Sequence, residues 1–158
     1  MADDIRTALE LAILSVLRDA AGLAGVKTFE NSVRDCLFTG ENLTQGFRPE
    51  ELPAIAVSAQ LKPTVKAQFS VSETGWTIPV SLTIVTKAQR GKLAAAAAAG
   101  LQDAVDVVLG AFRKSGNGLG TNTLLMGDVS SSATVIDEKP YSFGISTTDF
   151  SILKVVGT

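Results

Sequence analysis

Trp76-Thr77-Ile78-Pro79-Val80-Ser81-Leu82-Thr83-Ile84 is the stretch that decides the fold. Trp76, Ile78, Val80, Leu82 and Ile84 fall on one face of an extended chain, and Thr77, Pro79, Ser81 and Thr83 fall on the other. A period of two marks a strand with one face on a core. The other face is wet or buried in an interface. Pro79 has no N–H to give to a ladder, so it predicts an edge position or a bulge at that point.

Moving outward, Lys87-Ala-Gln-Arg-Gly-Lys92 reads as a turn and residues 92–114 as a helix. Its predicted core stripe is Leu93, Ala97, Leu101, Ala104, Val105, Val108, Leu109 and Phe112. Six consecutive alanines, 94–99, make its first half thin, so another backbone can approach closely. Ser115 to Asn122 is glycine-rich, but it follows a helix and precedes strands. A phosphate-binding loop has the opposite context, so this one reads as a connection. Residues 124–136 predict one or two strands, 137–140 a turn, and 141–156 a further extended segment with Phe143 and Ile145 on one face.

Upstream, residues 62–75 read as the polar arm of a long hairpin, and Ala54 to Leu61 as a buried strand. Residues 32–51 lack periodicity and read as a long loop, a length at which loops are usually functional. Residues 26–31 fit a short strand. Asp3-Asp4 reads as a helix N-cap, and Gly22 closes a first helix over about 4–21. Ile5, Leu9, Ala12, Ile13, Val16, Leu17 and Ala20 are its apolar stripe. The order predicts an α+β fold, a largely antiparallel sheet with two helices packed on one face, in a single domain over 1–158.

Composition narrows the function. The 158 residues carry 14 Lys and Arg against 16 Asp and Glu, for a net charge of −2. Clustered basic residues of the kind that grip nucleic acid are not seen. With 19% charged residues, much of the polar surface must be Ser, Thr, Asn and Gln. Such a surface is easier to desolvate against a partner, a hint of oligomerisation. Acids at the N-terminus do not fit a signal peptide. The alanine-rich stretch is interrupted by Gly100, Gln102, Asp103 and Asp106, so no membrane span is expected.

There is no histidine and one cysteine, Cys36. That removes the commonest general base, the usual Ser and Cys activators, an internal disulfide and a Cys/His zinc site. Glu50-Glu51, Asp103/Asp106 and Asp137-Glu138 are the acidic pairs. Each reads more simply as loop, solvated helix face or turn. Lys62, Lys66 and Lys87 sit in polar segments, whereas a lysine nucleophile needs burial. The expectation is a protein that is not an enzyme and takes no cofactor or metal. Phe69 and Trp76 are candidate interface anchors, with an inward core position the other reading of Trp76. Phe47 and Arg48 in the loop, Lys62 and Lys66 in the arm, and Ala95 and Ala98 on the helix complete the candidate protein–protein interface.

The whole-chain layout resembles the tail terminator proteins of tailed bacteriophages, the family that caps the tail tube. The likeness lies in order: a capped first helix, a long loop, then Leu52-Pro-Ala-Ile-Ala-Val57 entering the sheet as a similar Pro-Ala-hydrophobic-Ala-Val entry does in the family. A polar hairpin, a Trp-headed strand, a second helix and C-terminal strands follow. Residues 32–51 and 115–133 are longer than in short members. The resemblance implies a homo-oligomeric, hexameric ring on the head-proximal end of the tube. Such a ring stops tube polymerisation and docks onto the neck. Its implied partners are the tail tube protein, a neck or head-completion protein and, in contractile tails, the sheath. Double-stranded DNA would pass through the lumen without specific binding. The implied location is the virion tail at the tail–neck junction, after synthesis in the bacterial host cytoplasm. A head–tail neck component, or a small-molecule binding module without catalysis, are the alternative readings.

Overall fold

The deciding stretch lies in a strand longer than its clean alternation. The computed structural model describes residues 2–20, 22, 27–30, 53–58, 65–68, 73–114, 116–120, 122–138 and 141–157. Within it the elements are α1 (Ala2–Asp19), β1 (Lys27–Glu30), β2 (Ala54–Ser58), β3 (Val65–Gln68), β4 (Glu73–Ala88), α2 (Gly91–Ala111), β5 (Thr123–Glu138) and β6 (Tyr141–Gly157). β4 pairs antiparallel with β6 along its whole length, from Glu73↔Gly157 to Ala88↔Ser142. β6 pairs antiparallel with β5. On its other flank β4 pairs with β3 over 74–77 and with β2 over 81–85. β1 adds outside β2 in the parallel sense, giving the order β1-β2-β4-β6-β5 with β3 beside β4. The fold is α+β, as the element order predicts.

Pro79 lies where only one flank of β4 has a described partner. β4 lies inside the sheet, not at its edge, and Pro79 stands opposite Ser151 of β6. On the other flank residues 78–80 fall between the stretch paired by β3 and the stretch paired by β2. The proline is accommodated at the junction of two short strands, where the described ladder is already interrupted.

Both helices pack on the face that carries Ile78, Val80, Leu82 and Ile84, all buried. α1 brings Leu9, Ile13, Leu14 and Leu17; α2 brings Val105, Val108, Leu109 and Phe112. Ile55 and Val57 of β2 and Phe150 and Ile152 of β6 complete the same core. α1 begins at Ala2, so Asp3 and Asp4 lie in the first turn and not at the cap. Its buried side also takes in Leu14 and Glu10, which the predicted stripe omitted.

The first half of α2 is rotated relative to the predicted stripe. Leu93 is 57% exposed and Ala97 is exposed, while Ala94 and Ala98 face the sheet. The reason is a close approach to β6. A Cβ built on Gly144 would stand 2.3 Å from the Ala94 carbonyl oxygen and 2.8 Å from Thr86 Oγ1. Thr86 Oγ1 lies 2.8 Å from the Ala94 carbonyl oxygen, to which it donates, and so tethers the helix to β4. Only alanine and glycine fit where two backbones come this near.

The glycine-rich connection is built rather than merely permissive. Gly116, Gly118 and Gly120 all have positive φ, between 72° and 118°. That conformation is one side chains rarely adopt. Asn117 Nδ2 donates to the carbonyls of Phe112 (3.0 Å) and Thr123 (2.7 Å), and Asn117 Oδ1 accepts from Leu119 N. Leu119 is thereby delivered into the core. β5 is one strand with a register shift between Met126 and Ser130, where Gly127 has φ 78°. Glu138 and Tyr141 form the last pair of the β5–β6 ladder, so Asp137 and Glu138, read as part of a turn, belong to the strand.

The opposite sheet face holds a smaller buried cluster of Ala54, Ala56, Val85, Phe143 and Ile145. Lys87 Nζ sits 4.9 Å from the centre of the Tyr141 ring beside it. Further along, the Ser81 hydroxyl donates to the Asp149 carboxylate across the β4–β6 pair. The Ser and Thr alternation of β4 therefore lies on a half-buried, partly paired face.

Candidate functional site: a protein interface

The expected interface residues separate. Phe47, Arg48, Lys62 and Phe69 lie outside the described residues, as do Cys36, Glu50-Glu51 and the 32–51 loop. Lys66 stands in β3, paired with Trp76 of β4. Trp76 is half-buried and packs against the margin of the main core, which favours its inward reading. Ala98 is 3% exposed and covered by the protein's own sheet. It is not presented to a partner, because the close approach at Gly144 turns this side of α2 inward. Ala95 is exposed.

Ala95 forms part of a groove of about 460 Å³ between α2 and β5. Ala99, Gln102 and Asp103 continue the helical wall, and Ser131 to Val135 form the strand wall. Gln102 is the residue that pattern reading passed over. Its Oε1 accepts from Ser146 Oγ (2.7 Å) and Thr148 Oγ1 (2.9 Å), while its Nε2 donates to Asp106 Oδ1. Thr148 is fully buried. Gln102→Ala leaves that hydroxyl without this acceptor and is expected to lower stability by about 2 kcal/mol. Urea unfolding with an unchanged m-value checks this.

Two exposed surfaces flank the groove, a hydroxyl-rich strand segment and a helix side on which Leu93 and Val107 stand among Lys92, Asp103 and Asp106. β5 is an outer strand of the sheet, and residues 130–135 are all exposed. The outward side of α2 shows Leu93 and Val107, the latter 75% exposed. By length and composition α2 is apolar enough to cross a membrane, with a mean hydropathy of 1.4 over 18 residues. Its interrupting polar residues had argued otherwise. The Thr86 and Gln102 bonds and the buried Phe112 nonetheless tie it to the sheet as part of the helical layer.

Chemistry has little to work with here. Asp103 and Asp106 are exposed, and Asp137 accepts from Ser142 Oγ. Among the described residues no three His, Cys, Asp or Glu side chains converge in a way that could hold a metal. An open depression of about 620 Å³ beside the glycine-rich connection is lined by Gly116, Asn117, Gly118, Gly120, Asn122, Thr123 and Leu124, none of them charged. No protein-family model matches the chain, and no curated protein matches it.

Proposed function

We propose that the chain is a structural virion protein, a ring-forming subunit at the head-proximal end of a phage tail tube. It stops tube growth and offers the surface on which the capsid neck docks. The observation that carries this reading is the exposed, charge-free segment 130–135 of the outer strand β5, lying beside an outward side of α2 that shows Leu93 and Val107. Exposed large apolar side chains such as Leu93 and Val107 mark protein contact, and a strand segment of hydroxyl residues without charge keeps the desolvation cost small. The element order, a helix, a hairpin leading into a long strand, a second helix and a long C-terminal hairpin, fits the order seen in the resemblance.

A neck or tail-completion component shares this surface argument. Loss of the gene separates the two. Over-long tubes in particles lacking the protein support the terminator role. Tubes of normal length that fail to join heads assign the chain to the neck instead.

A further inference from the structure

Among the described residues the sheet ends in two outer strands, β1 and β5, that lie at one level and run in opposite directions. Register carries one row straight across it: Glu30, Val57, Leu82, Thr148 and Ser131 are successive neighbours. The row Thr28, Ile55, Ile84, Ser146 and Ala133 lies beside it. β1 and residues 130–134 of β5 therefore sit at the same height on opposite edges. Their directions are opposed, because one parallel and three antiparallel pairings separate them. Copies placed side by side in the same orientation bring β5 of one against β1 of the next in the antiparallel sense.

We propose that residues 130–134 of β5 pair with β1 (Lys27–Glu30) of a second copy of this chain, so that one sheet runs from subunit to subunit around a ring. This rests on the self-assembly reading above and names its contact. Natural edge strands are usually blunted with Lys, Pro or other charge against such pairing. Ser130-Ser-Ser-Ala-Thr-Val-Ile136 carries none, and the Met126/Ser130 irregularity lies outside the 130–134 segment; β1 carries Lys27 and Glu30 at its two ends and leaves Thr28-Phe29 uncharged between them. Because the edges are level, repeated copies need not climb along the strand axis, and a head-to-tail contact of that kind forms a ring when the rotation between copies closes. The helical layer follows. α1 packs over β1 and β2, so the incoming copy lays its α1 beside the groove, where Ala95 and Ala99 allow a close helix approach.

Disulfide trapping tests the contact on the full chain. Cys36→Ser removes the native thiol, and Thr28→Cys with Ala133→Cys places one thiol on each edge in the same row. Oxidation of the assembled double variant is expected to give a covalent ladder beyond the dimer, and Ala133→Cys alone is expected to give none. Dimers from Ala133→Cys alone overturn the proposal in favour of two-fold β5–β5 pairing. An assembled double variant that does not cross-link also overturns it. Hydrogen exchange on the unmodified chain needs no substitution: amides of 130–134 and 27–30 are expected to slow about tenfold or more on assembly. A ring with those amides unprotected sinks the edge contact and leaves the ring reading standing. A chain that stays monomeric at high concentration and on tail tubes sinks the ring reading itself.

Discussion

Gly144→Ala is expected to cost about 3 kcal/mol or more and to lower the melting temperature by about 10 °C. The added methyl would stand 2.3 Å from the Ala94 carbonyl oxygen and 2.7 Å from its carbon. Those are backbone atoms of a helix held to the sheet, and they cannot swing aside as a side-chain tip can. Relief requires α2 to lift from β6. Lifting would stretch the Thr86 tether and the Gln102 bonds to Ser146 and Thr148. A melt within about 1 kcal/mol of the parent would show that α2 does not lie this close to β6.

Phe112→Ala is expected to cost about 3–5 kcal/mol, the range for emptying a fully buried aromatic site. Phe112 is completely buried where α2 ends, in the core formed with both helices and the sheet. Its backbone is a junction as well. Its N–H bonds back to Val108 and Leu109, and its carbonyl accepts from Leu125 N and Asn117 Nδ2. A cavity here therefore loosens the start of β5 along with the helix end. Denaturant unfolding with an unchanged m-value reads the loss, and faster amide exchange at 123–125 reads its spread. Phe112→Leu, which fills most of the space, is expected to recover more than half of the stability.

Much of the sheet was legible because one of its faces is buried. Ile78, Val80, Leu82 and Ile84 alternate with polar residues, and that contrast carries the period. The β5–β6 hairpin was legible from the polar residues after Ile136, although Asp137 and Glu138 extend the strand instead of turning. The parallel β1–β2 pair was not, since nothing local distinguishes a short parallel partner from an antiparallel one. Pro79 pointed to an edge or a bulge at its own position; β4 is an inner strand, and its described pairing is interrupted at 78–80 on one flank only.

The candidate surface was harder to read. Six identical alanines give no contrast between the two sides of a helix, so the phase of α2 over 94–99 was unreadable. Gly144 decides that phase through a backbone contact 50 residues away in sequence. Gln102 read only as a polar interruption of the alanine-rich stretch, because its partners Ser146 and Thr148 sit on a distant strand. Ser130 to Thr134 looked like one more polar strand. Its place at the sheet edge, level with β1, follows only from the register.

Electron microscopy of virions labelled with antibody raised against this chain tests the central claim most directly. Label is expected only at the head-proximal end of the tail, at the junction with the neck. Label along the tail shaft, on the capsid, or nowhere on the particle would contradict it.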